Sequence, residues 1–208
     1  MKNLIALDFF IQKKFLKTLI LVFAFLGISY GAIYGVEFLY PAGIFVVFYL
    51  MIIPIEYEKR NGFTKGIKSL PVKPIDYVGA KYITNLIYIF IVNVTLILIS
   101  FVIAKTTGHN MGITSGIVLS TITVQLIYMA VTQPIYIAIS YKYFRVVNII
   151  FVIVSMFGSV GFFTGIQNMK LGFLFQKYTS LYCFIMGIII FIISFIISLI
   201  IYGKKEER

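Results

Sequence analysis

The chain has 208 residues, 61% of them hydrophobic and only 12% charged, with a formal net charge of +11. An average soluble domain carries roughly 25% charged residues, and a mean hydropathy of +1.02 is more apolar surface than a soluble core of this length can hide. A water-soluble globular domain is therefore excluded.

The apolar residues fall in long runs, as a hydrocarbon layer about 30 Å thick requires of helices near 20 residues long. Lysines and arginines lie in the short segments between those runs, which speaks for membrane topology and against a nucleic-acid partner. The single cysteine, Cys183, excludes an intrachain disulfide. One histidine, one cysteine and seven scattered acids supply no metal-ligand set.

In chain order, residues 1–17 read as an amphipathic helix, with Leu4, Leu7, Ile11 and Phe15 at helical spacing and Lys13, Lys14 and Lys17 near its end. Such a helix is expected in the membrane interface, apolar face toward lipid and lysines near anionic headgroups. The segment is too long and mixed for the basic start of a signal peptide, and no small-x-small cleavage site follows. Six spans come next: Thr18–Val36, Phe38–Ile55, Tyr82–Ala104, Ile113–Ile139, Val146–Ile166 and Leu181–Tyr202. The expected fold is an all-α membrane protein, one transmembrane domain over residues 1–208.

With six spans both ends share one side of the membrane. Fifteen of the eighteen basic residues fall on that side, leaving only Lys105, Lys170 and Lys177 on the other. Positive charge is retained in the cytoplasm, so both termini are expected there.

The largest cytoplasmic connection is residues 56–81. It opens with Glu56, Glu58, Lys59 and Arg60, is weakened as a helix by Gly62 and Gly66, and is interrupted by Pro71 and Pro74. Physics alone leaves it open between an ordinary loop and a short helix that passes motion from a soluble partner to the bundle. Its residues carry a family resemblance. Glu56, Ser69, Leu70, Pro71, Val78, Ala80, Lys81 and Tyr82 match the places of an opening acid, a Ser-Leu-Pro motif and an Ala-Lys-Tyr motif. That loop resembles the one between helices 2 and 3 of ABC-2 transporter permeases. It is particularly similar to the small bacterial branch that includes the permeases of phenol-soluble-modulin exporters.

The resemblance implies a permease of the bacterial plasma membrane that exports amphipathic peptides, as the branch exports cytolytic or antimicrobial ones, or other hydrophobic cargo. It implies a cytoplasmic coupling helix between helices 2 and 3, docking on an ABC ATPase subunit through Glu56, Tyr57, Glu58, Lys59, Arg60, Asn61, Gly62, Phe63 and Lys65. The chain has no G-x-x-x-x-G-K-[ST] loop. Catalysis, and the ATP and magnesium it needs, are therefore expected in that partner.

Gly27, Gly31 and Gly35 in span one recur every four residues, and Gly161 and Gly165 in span five do likewise, with Gly158 near the same stripe. Each four-residue step drifts only about 40° around a helix, so each stripe offers a small-residue packing face. Such a face serves packing within one subunit or, as the family would have it, a dimer with a second permease of the same or a different kind. Polar groups at membrane depth are Asn85 and Asn93 in span three, Thr121, Gln125, Tyr128 and Thr132 in span four, and Asn148 in span five. They are expected to face protein or water, as a translocation path or as interhelical hydrogen bonds. Two other readings of six basic spans, the substrate-binding subunit of a vitamin importer and a membrane assembly protein, do not call for the loop.

Overall fold

A computed structural model describes residues 1–15, 17, 39–62, 73–107, 115–139, 143, 146, 147, 150 and 179–206. These form five helices and no strand: α1 over residues 2–15, α2 (Leu39–Arg60), α3 (Pro74–Thr107), α4 (Ser115–Ala138) and α5 (Thr179–Glu206). Among the described residues three stretches are long and apolar enough to cross a membrane, Pro74–Ile103, Gly116–Ala138 and Leu181–Lys204, which fall on the expected spans three, four and six; α2, on the expected span two, is not one of them. The predicted span one and most of span five lie outside the described residues.

The predicted loop is shorter than its polarity suggests. The helix of span two does not end at Ile55 but runs five residues further, to Arg60. Lys59 and Arg60 in its last turn oppose the negative end of the helix dipole. The amide of Asn61 still bonds the carbonyl of Tyr57 at 3.1 Å, and Gly62 then turns the chain at φ 66°, a conformation glycine adopts without steric cost.

On the far side, Pro74 does not bar a helix; it begins one. At the first helical position its missing N–H is no loss and its fixed φ is already helical. Asp76 in the first turn favours the start, and the Lys73 carbonyl accepts from the amides of Asp76 and Tyr77. The result is a helix of 34 residues, about 51 Å long at 1.5 Å per residue. It is too long for the hydrocarbon layer alone, so one end must project beyond it.

The core gathers Tyr40, Val47, Phe48 and Met51 of α2, Val78 and Leu96 of α3, and Met129 of α4. Phe48 stacks on Tyr128 with ring centroids 3.6 Å apart. α4 packs most extensively on α5, and α2 packs on both α3 and α4. Large apolar side chains cover the outer faces, among them Phe90, Leu98 and Phe101 of α3 and Ile192, Ile196 and Ile200 of α5. So much contiguous exposed apolar surface is what lipid covers.

α1 turns its apolar stripe toward the protein, with Ile11 buried and Leu4 packed on the core, where an interfacial helix would turn it toward lipid. Its inward side holds Asp8, Ile11 and Gln12, all nearly inaccessible, and Phe9 packs edge-on against Tyr88 of α3. Lys2, Lys13, Lys14, Lys17 and Phe10 face outward. The apolar stripe is spent on the protein because Asp8 and Gln12, on the same side, have partners there.

Candidate functional site

The N-terminal end of α3 meets the C-terminal ends of α2 and α5, and α2 in turn ends against the C-terminal end of α4. Tyr77 stacks on Tyr202 of α5 at 4.8 Å. Lys59 donates to the carbonyls of Tyr136 and, at 2.7 Å, Ile139 at the end of α4. A cation on the orphan carbonyls of a helix C-terminus is favourable on both hydrogen-bonding and dipole grounds.

At this end lies a buried charge cluster. Lys81 of α3 pairs with Glu58 of α2 and, at 2.6 Å, with Asp8 of α1. The Tyr77 hydroxyl donates to the second oxygen of Glu58 at 3.1 Å, and the Lys81 ammonium lies 5.8 Å from the centre of the Tyr77 ring. Asp8, Glu58 and Lys81 are exposed by only 2%, 3% and 6%. Burial of this degree makes each charge depend on its partners, since an unpaired buried ion costs several kcal/mol. Two carboxylates share one ammonium. Burial, reinforced by the neighbouring Glu58 carboxylate, raises the Asp8 carboxyl above its ordinary range, and Lys81 opposes that rise without cancelling it.

The residues expected to dock a partner divide. Glu58 is buried in the cluster and Lys59 is engaged with α4, whereas Arg60, Asn61 and Gly62 are exposed. Glu56 and Tyr57 are half-buried, and the ammonium of Lys14 lies 5.4 Å from the Tyr57 ring centre. Phe63, Lys65, Ser69, Leu70 and Pro71 lie outside the described residues, as do Gly27, Gly31, Gly35, Gly158, Gly161, Gly165 and Asn148.

The Ala-Lys-Tyr motif is buried throughout, and its last two residues turn to different neighbours. Lys81 reaches α1 and α2. The Tyr82 hydroxyl lies 2.7 Å from Ser194 and 2.8 Å from Ser198, both of α5.

A sequence profile described as "ABC-2 family transporter protein" matches residues 3–203. The chain belongs to the ABC-2 transporter family. It is accordingly a membrane permease subunit of an ABC transporter, a class that works with a partner ATPase subunit. No curated protein and no solved structure matches the chain. Membership selects the permease over the vitamin-binding and assembly readings.

Deeper in this ABC-2 permease the structure brings together one pair of the polar residues singled out from sequence. Asn93 of α3 donates to Gln125 of α4 at 2.7 Å and to its own helix at Ile89. Thr121 and Thr132 are buried but bond the carbonyls of Ile117 and Tyr128 within α4, the usual outlet for a hydroxyl inside a helix. Among the described residues Asn85 Nδ2, Asn93 Oδ1 and Gln125 Nε2 are buried without a hydrogen-bond partner.

Two prolines inside the helices explain residues that sequence reading missed. A proline cannot donate to the carbonyl four residues before it. Pro134 therefore frees Ala130, and Ser194 of α5 donates to that carbonyl at 2.5 Å. Pro54 frees Leu50, and Gln12 of α1 donates to that one. In a membrane such freed groups must find donors on neighbouring helices. The sequence announced the two acceptors through its prolines but not which side chains would answer them.

Proposed function

We propose that this permease is the membrane half of an exporter whose motor is the partner ATPase, and that its cargo is amphipathic peptide. ATP and magnesium belong to the partner, because this chain has no phosphate loop. Both termini and the α2–α3 connection face the cytoplasm of a bacterial cell, as the distribution of lysine and arginine favours.

The observation that carries the coupling role is the buried tie between Glu58 and Lys81. It fastens the two ends of the connection to each other, so that a push on the segment between them is delivered to α2 and α3 together. The exposed residues Arg60 and Asn61, with Phe63 and Lys65, make the dock; Glu58 and Lys59 hold its base. Two such permeases form the working dimer through the glycine faces of spans one and five. Asn85, Asn93 and Gln125 are buried within one permease, and the bond between Asn93 and Gln125 ties α3 to α4.

The reading is tested with the permease and its ATPase reconstituted in inside-out vesicles. ATP should drive a fluorescent amphipathic peptide into the lumen, and Arg60→Glu should lower ATPase co-purification while leaving the permease folded. Peptide movement in the opposite sense, or transport indifferent to Arg60→Glu, overturns it.

A further inference from the structure

Lys81 is one ammonium held between two carboxylates that belong to different elements. Glu58 ends α2, and its tie to Lys81 closes the neck of the α2–α3 connection. Asp8 lies on α1, and its bond to the same nitrogen, at 2.6 Å, seats α1 on the bundle. Tyr77 supports only the Glu58 side, through a hydrogen bond to its free oxygen. α1 is also held by Gln12 on the Leu50 carbonyl, by Ile11 and Leu4 in the core, by Phe9 on Tyr88 and by Lys14 over the Tyr57 ring.

We propose that Glu58 and Asp8 compete for Lys81, so that the state of the loop neck sets how firmly α1 is docked. The physical basis is that the charge of one cation is divided. Each carboxylate lowers the share left for the other, and the two repel across the same buried volume. When the neck is closed, Lys81 is drawn toward Glu58 and its hold on α1 slackens. When the neck parts, the whole ammonium is available to Asp8 and α1 tightens. Lys81 thus acts as a positioning residue that links an element outside the spans to the base of α2 and α3. Its use in coupling rests on the exporter reading above; the competition itself does not.

The test uses the full-length permease alone in lipid nanodiscs, so that a failed coupling model leaves it standing. Hydrogen–deuterium exchange of residues 1–15 reads α1 docking. Glu58→Gln keeps the size of the side chain and an acceptor for Lys81, but gives up the competing charge. α1 should then exchange on the order of tenfold more slowly, a factor typical of coupling between two sites. Adding Asp8→Asn to Glu58→Gln should abolish that slowing, because the gain runs through the Asp8 carboxylate. Ordinary structural glue has the opposite signature, because losing Glu58 would loosen every neighbour, α1 included. Should Glu58→Gln not fold, Tyr77→Phe serves in its place. Freed from that hydroxyl, Glu58 binds Lys81 more strongly, and α1 exchange should rise although Tyr77 is on α3. Unchanged or faster α1 exchange in Glu58→Gln, or unchanged or slower exchange in Tyr77→Phe, overturns the proposal.

Discussion

Replacing Ser194 by alanine removes the donor that α5 offers to the Ala130 carbonyl, 2.5 Å away, and one of the two serine partners of the Tyr82 hydroxyl. Tyr82 keeps Ser198 at 2.8 Å, so the larger loss is at the carbonyl. A buried acceptor left without a donor costs about 1–3 kcal/mol. Measured interhelical hydrogen bonds in lipid are smaller, about 0.6 kcal/mol on average and up to about 1.7. The two ranges meet near 1–1.7 kcal/mol, which is the expected cost of Ser194→Ala. Pro134→Ala gives α4 back the amide that bonds Ala130, so in that background the serine donor is redundant. The same Ser194→Ala substitution should then cost only the Tyr82 part, about 0.5 kcal/mol. Reversible unfolding of all four proteins in mixed detergent micelles gives the difference directly as a coupling energy. Equal costs in the two backgrounds would refute the assignment of Ser194 as the proline's answering donor.

Two further outcomes follow from the packing and the charges. A Cβ on Gly43 would lie 2.2 Å from Leu96 Cδ1, and Leu96 is fully buried. Gly43→Ala should therefore lower the melting temperature by the equivalent of about 1–3 kcal/mol, and Leu96→Ala in the same chain should recover part of it; a neutral Gly43→Ala sinks the claim of close α2–α3 approach. The docking of α1 should also depend on pH. The Asp8 pKa is raised above its ordinary 3.8 when α1 is docked, so docking takes up a proton. The Asp8 contribution is complete below the ordinary value and is lost as pH rises through the raised one. The chain has no tryptophan, so Phe9→Trp is a sole reporter against Tyr88. Acrylamide quenching of it should increase with pH, and Asp8→Asn should flatten the curve; quenching that falls with pH contradicts the sign.

The sequence by itself determined the membrane, because hydropathy is a property of composition and run length and needs no knowledge of neighbours. It determined the family as well, since a profile read along residues 3–203 needs no knowledge of which residues meet in space. It also marked where backbone acceptors would be freed, at Leu50 and Ala130, because the geometry of proline is local.

Tertiary structure decided where the polar side chains are spent. Asp8 reads as one acid in an amphipathic helix until α3 brings Lys81 to it, 73 residues away. Glu58 reads as solvated until the helix of span two runs on past Ile55 and turns it inward toward Lys81. Gln12 and Ser194 carry no local signal at all, because their partners are carbonyls on other helices. The division has one physical cause: helix formation and bilayer partition are short-range in sequence, whereas the pairing of a buried charge or a freed carbonyl depends on which helices lie side by side. The face of α1 follows the second rule. Its spacing of Leu4, Leu7, Ile11 and Phe15 announced an amphipathic helix, and two polar residues on the same side turned that face from lipid to protein.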